Sequence, residues 1–178
     1  TVFIPGHGPE STFGEERRWG WLWRSFLITA GIPEPTGLDT FIRDQLPLLP
    51  IAERHCATRD LLMETARLVG AMHARNFLHR DLFWRNLVIA NNSLAQLSVI
   101  DAPRGRLLVR PLSVAERAAD LACLDAAAPY YFSRPQRVRF FLAYRQQRRL
   151  DAAGKELLQK ALAAAALQRS RQLAHVAQ

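Results

Sequence analysis

The chain has 178 residues, 49% of them hydrophobic and 22% charged, which suits one soluble domain with a real core and is too short for two large ones. Its longest apolar runs, such as LITAGI at 27–32, fall well short of the roughly 20 residues of a membrane-spanning helix, and no secretory signal pattern opens it. The net charge of +8 sits at one end: ten Lys and Arg face two acids from Ser133 to Gln178, while residues 1–132 balance. Such an excess is either a solvated helix face or a surface that attracts phosphates on nucleic acid, lipid or glycan.

Residues 1–16 are rich in Gly and Pro and read as loop, with a short strand at Val2–Ile4. Trp19, Trp21 and Trp23 alternate with small or aliphatic residues before SFLIT, a pattern of strand packing. GIPEPTG at 31–37 holds two prolines and two glycines, so it reads as a linker with no regular element. LDTFIRDQL at 38–46 predicts a short helix. A long helix is predicted from about Arg59 to Arg75, capped by Thr58, with Leu61, Leu62, Thr65, Leu68, Val69 and Met72 on one face. Cys56 and Cys123 have no metal-ligand spacing and read as reduced, buried thiols of a cytosolic protein.

LVIA and LAQLSVID flank Asn91-Asn92-Ser93 and predict a hairpin. SVAERAADLACLDAA at 113–127 opens on a capping box, Ser113 with Glu116. A further helix is expected from Ser133 through Arg149, and a last one over 152–177, interrupted early by Gly154. On the 134–149 helix, Arg134, Arg137, Arg145 and Arg148 recur at steps that return toward one side, which predicts an exposed basic stripe.

The chemistry concentrates in LHRDLFWRNLVIA, residues 78–90. Phosphoryl transfer needs a carboxylate that accepts or orients the attacking hydroxyl, and oxygen ligands that hold Mg²⁺ against the phosphates. Asp81 stands where the first belongs, and Asn86, five residues on, offers an amide oxygen. Asp101 follows at the end of the apolar segment LSVI, which would hold a second carboxylate beside them.

With AMHARNFLHRD before it, this pattern resembles the catalytic loop and metal-binding segment of the protein-kinase-like fold. Asp101-Ala102-Pro103 replaces the familiar Asp-Phe-Gly. Together with SFLIT, LDTFI and RAADLACLD, it looks most like the lipopolysaccharide core kinase family of the InaA type, over about residues 20–150.

The resemblance implies an α+β, protein-kinase-like fold. Residues 1–30 would be the remnant of an N-lobe sheet, 31–37 the hinge, and 38–178 a mostly helical C-lobe. It makes Asp81 the catalytic base and Asn86 and Asp101 the Mg²⁺ ligands that serve ATP. It places Arg85 where its charge can neutralise the transferred phosphate, and it gives His79, Arg80 and Asp120 a supporting role. Phe83 and Trp84, unusual in such a loop, are either packing or a sugar-facing wall, and His73 is given no role.

The implied activity is an ATP-dependent kinase for a heptose or Kdo sugar of the lipopolysaccharide core. It would be cytoplasmic and peripheral at the inner membrane, with the basic C-terminal helices against the glycolipid or an anionic membrane surface. Two other readings stay open: a small-molecule phosphotransferase of the aminoglycoside or choline kinase type, and a non-catalytic pseudokinase. Arg80, where those small-molecule relatives usually carry glycine, counts against the first. Only residues 102–112 separate Asp101 from the next capped helix, which leaves no room for a peptide-binding activation segment. Nucleic acid is not expected, because the basic region is nearly free of aromatics after Tyr144. No glycine-rich phosphate loop or strand lysine precedes residue 20, so the chain is expected to be N-terminally truncated and weakly active or inactive alone.

Overall fold

The protein is described here by a computed structural model over residues 31–176. The expectations for residues 1–30, the tryptophan strand and the sheet remnant among them, lie outside the described residues. Two small sheets and a set of helices make an α+β arrangement in which helices carry most of the chain.

Strand β1 (Pro35–Gly37) is followed by α1 (Leu38–Thr40), one π turn (Phe41–Gln45) and one 3₁₀ turn (Leu46–Leu48). The segment 31–37 was expected to hold no regular element. Its last three residues instead pair antiparallel with β3 (Leu87–Ala90), Thr36 opposite Ile89. A proline tolerates this place because β1 is an edge strand among the described residues. β3 lies in the middle, between β1 and β4 (Ser93–Val99), and all four of its residues are buried. That explains its unbroken apolar run.

Helix α2 (Ile51–Ala74) begins eight residues before its expected start. Pro50 precedes it, and Thr58 lies inside it, its hydroxyl donating to the Arg54 carbonyl at 2.7 Å. Arg54 Nη2 donates to the carbonyls of Pro47 and Leu49, so the helix start is tied down without a side-chain N-cap. Asn76, at φ 58, closes the other end. β2 (Phe77–Leu78) follows and pairs with β5 (Arg106–Leu107).

Helix α3 (Val114–Tyr131) opens on the expected box: Glu116 N–H donates to Ser113 Oγ, and the Glu116 carboxylate accepts from Ser113 N–H. Helix α4 (Arg134–Tyr144) stops five residues short of the expected Arg149. Gln147 N–H bonds the Leu142 carbonyl and Gln146 N–H the Ala143 carbonyl, with Gln146 left-handed at φ 53. That is a helix-ending motif usually built on glycine, so the sequence carries little sign of it. Helix α5 (Ala152–Val176) runs through Gly154 without a break. Asp151 Oδ1 accepts from Gly154 N–H at 2.6 Å, and a Cβ there would meet that oxygen at 2.9 Å. Glycine here makes room for the cap.

The core is formed by the inner faces of α2, α3, α4 and α5 with β3, including Leu61, Val69, Leu87, Ile89, Leu121 and Phe141. Gly70 lets α4 close on α2, since a Cβ there would stand 3.3 Å from the Tyr144 carbonyl. Cys123 is buried, but Cys56 is exposed, against expectation; both are free.

The basic stripe is not formed as expected. Arg137 folds back on Asp125 through three hydrogen bonds of 2.6 to 2.9 Å, and Arg145 is largely covered beside Asp151. Arg148 lies beyond the end of α4. The acids that neutralise these cations come from other segments, which helical spacing cannot reveal. Between α3, α4 and α5 lies an apolar cavity of about 290 Å³, walled by Trp84, Leu124, Phe132 and Phe141, with Arg134 and Arg137 among its charged lining. No helix among the described residues is long and apolar enough to cross a membrane.

Candidate active site

Three backbone segments meet at the loop 79–86. Its start is held by Asp120, which is fully buried on α3. Asp120 Oδ2 accepts from His79 N–H at 2.8 Å, and Oδ1 accepts from Arg80 N–H at 2.7 Å. Two buried N–H groups bonded to one carboxylate are costly to separate, because each would lose a charge-assisted bond. Arg80 is held at φ 70, while its side chain is exposed.

His79 is fully buried and couples the loop to the hairpin. Its Nδ1 accepts from Asp81 N–H at 3.3 Å, so Nε2 carries the proton toward the Ile100 carbonyl at 3.0 Å. Ile100 N–H donates in turn to the Asn86 carbonyl at 2.9 Å. Both backbone polar groups of Ile100, the residue before Asp101, are therefore fastened to the loop, one at each end of it. Asp101 follows at φ 56, the left-handed region.

The Asn86 side chain reaches back across the loop. Its Nδ2 donates to the Asp81 carbonyl at 2.7 Å and to Asp81 Oδ2 at 3.2 Å. The 3₁₀ turn Trp84–Asn86 makes this return possible by directing residue 86 inward. Arg85 is exposed; its guanidinium lies 4.3 Å from the Phe83 ring centroid and 3.4 Å from Asp81 Oδ2. Phe83 thus supports a cation at the site entrance. Trp84 faces the other way, buried against Phe132, its Nε1–H donating to the Leu124 carbonyl at 2.9 Å.

His73, given no role from sequence, belongs to this assembly. It is buried at the end of α2, with Nε2 3.2 Å from Asp120 Oδ2 and Nδ1 2.8 Å from the Tyr144 hydroxyl. The Asp120 carboxylate can only accept, which puts the ring proton on Nε2; the Tyr144 hydroxyl, pushed up to about 12 by burial, keeps its own proton and donates to Nδ1. A sequence signal was present: His73 stands four residues after Val69 and eight after Thr65, on the buried face of α2.

The described residues contain no group of three or more His, Cys, Asp or Glu placed to hold a metal. What the hydrogen bonds bring together is the Asp81 carboxylate and the Asn86 amide, with the backbone just ahead of Asp101 held at the same loop. That donor set is poor for zinc and suits a hard cation that completes its shell with phosphate and water.

A profile of the lipopolysaccharide kinase (Kdo/WaaP) family matches residues 7–144. Among solved structures, the chain is similar to "WaaP in complex with acyl carrier protein" at TM-score 0.61 and 24% identity, a likeness of fold. The match covers 79% of this chain and 57% of that one. No curated protein sequence matches.

Proposed function

We propose that this chain, which belongs to the lipopolysaccharide kinase (Kdo/WaaP) family, carries the catalytic loop of a phosphotransferase acting on a lipopolysaccharide core sugar. The donor is ATP with Mg²⁺, and the acceptor is a hydroxyl of a heptose or Kdo at the cytoplasmic face of the inner membrane. The observation that supports this most is the double fastening of Ile100, by Asn86 on one side and His79 on the other. It keeps Asp101 at the loop that carries Asp81 and Asn86.

In this reading Asp81 orients the acceptor hydroxyl and takes its proton. Asn86 restrains that carboxylate through Nδ2, and its amide oxygen and the Asp101 carboxylate would hold the Mg²⁺. The bound cation would spread the negative charge that develops on the transferred phosphate. Arg85, held over Phe83, adds a positive charge at the mouth. Against a pseudokinase, the loop spends two left-handed non-glycine residues, Arg80 and Asp101, on this geometry.

A partner reading has its own observation. The similar structure is of WaaP with acyl carrier protein. The apolar cavity of about 290 Å³ is the feature of this chain that would take an apolar arm of such a partner; Arg134 lies in its lining, while Arg137 there is already paired with Asp125.

The deciding experiment is transfer of labelled phosphate from ATP to lipopolysaccharide core. Asp81→Asn should lower turnover by about 10²–10⁴-fold while binding of Mg-ATP persists. Turnover unchanged by Asp81→Asn would remove the assignment.

A further inference from the structure

The segment after Asp101 places unusual side chains in solvent. Leu107 is 73% exposed and Val109 fully exposed, two residues apart, and Arg104 and Arg106 are exposed beside them. Neither arginine makes an ion pair among the described residues, whereas Arg110 is spent on a two-bond pair with Glu116.

This segment is not a loose loop. Phe77 pairs with Leu107 and Leu78 with Arg106, and Leu108 N–H donates to the Asn76 carbonyl at 2.9 Å. Gly105 seats the turn on the ring of Phe77, where a Cβ would come within 2.7 Å. β2 ends one residue before His79. Two bare aliphatic side chains and two cations with no ion pair among the described residues therefore lie on backbone fixed to the base of the loop 79–86.

A solvated loop has no need of bare Leu and Val, and no acid among the described residues pairs with either arginine. Aliphatic side chains beside unpaired cations match an anionic bilayer, which takes the apolar groups below its headgroups and the cations among its phosphates. We infer that residues 104–109 are the membrane-docking edge of this protein, binding an anionic lipid surface. The placement deepens the phosphotransferase reading and rests on it for its purpose: docking here presents Asp81 to acceptors anchored in the same leaflet. It also moves the membrane contact away from the C-terminal helices, whose inward arginines are already paired.

Co-sedimentation of the 178-residue chain with phosphatidylcholine vesicles, with and without phosphatidylglycerol, tests this without nucleotide. The chain should bind only the anionic vesicles, and more weakly at physiological salt, where screening acts within about 8 Å. Leu107→Ser/Val109→Ser and Arg104→Gln/Arg106→Gln should each weaken binding by about tenfold or more. Both should melt with the parent protein, because these side chains support no core. Arg148→Gln/Arg149→Gln should bind like the parent. Absent binding, equal binding by all variants, or loss confined to the Arg148/Arg149 variant would overturn the assignment. So would self-association without lipid that Leu107→Ser/Val109→Ser abolishes. No turnover enters this test, so its failure leaves the catalytic reading standing, and a catalytically inert Asp81 would leave the docking edge in place.

Discussion

The Tyr144 hydroxyl sits 2.8 Å from His73 Nδ1, joining α4 to the end of α2 directly behind Asp120, the residue that holds the loop 79–86. By donating to Nδ1 it leaves the His73 proton on Nε2, aimed at Asp120. Asp120 then has three donors: His73 and the backbone N–H groups of His79 and Arg80.

Tyr144→Phe keeps the ring packed on Phe141 and removes only the donor. A buried imidazole nitrogen is left without its partner, at a cost of about 1–3 kcal/mol in urea unfolding. Nitrogen NMR of His73 should show a mixed tautomer in place of one form. His73→Gln, whose amide donates to Asp120 whatever its neighbour does, should make a second Tyr144→Phe change nearly silent. A full additional loss in that double variant would show that Tyr144 acts by packing alone.

How much of this was legible in the sequence depends on whether partners were close along the chain. The hairpin announced itself through Asn91-Asn92 between apolar runs, and Ser113 with Glu116 marked the start of α3. The spacing of Asp81, Asn86 and Asp101 likewise pointed to one place, and the backbone bonds at Ile100 bring their segments together. The His73–Tyr144 contact spans 71 positions and the Arg137–Asp125 pair joins two helices, so no local pattern encodes either. Helix ends misled where their chemistry was atypical: α2 begins after a proline with no side-chain cap, and α4 ends on a left-handed glutamine. Gly154 reads as a breaker because its conformational freedom is visible in sequence, while the Asp151 cap it accommodates is not.

Trp84→Phe should separate packing from any sugar-facing role. The substitution loses the bond to the Leu124 carbonyl and part of the ring against Phe132, about 1–3 kcal/mol by denaturant midpoint. Trp84→Ala should cost roughly 3–5 kcal/mol. KM for the acceptor should not move in Trp84→Phe, since the ring faces the core; a selective rise in that KM would contradict the buried orientation.

Glu116 gives a pH signature. The Arg110 guanidinium beside it, then the Ser113 cap, hold its carboxyl at about 2 against an ordinary 4.5. A depressed folded value means stabilisation that is present above 4.5 and is lost as pH falls from there toward 2. The pair is solvent-exposed, so the effect should be small and weakened by salt. Glu116→Gln should melt below the parent at neutral pH, and the two curves should converge near the acid end of that window. A gap that stayed constant across it would mean that packing, not the charge, is what Glu116 contributes.

Asp101 allows the backbone and the charge of the site to be tested apart. Its φ of 56 is unfavourable for a side chain with a Cβ, by about 1–2 kcal/mol, less for Asp and Asn than for most. Asp101→Asn should leave unfolding nearly unchanged, because asparagine accepts the same conformation. Asp101→Ala should lose about 1 kcal/mol, and Asp101→Gly should gain up to a similar amount. All three should weaken Mg²⁺-dependent nucleotide binding, with Asp101→Asn raising the Mg²⁺ requirement for turnover, since one ligand charge is gone. A protein that becomes more stable as it loses the cation would mark Asp101 as a residue held under strain for its carboxylate. If Asp101→Gly instead destabilised the fold with Mg²⁺ binding intact, the carboxylate would be structural and the metal ligand would have to be sought elsewhere.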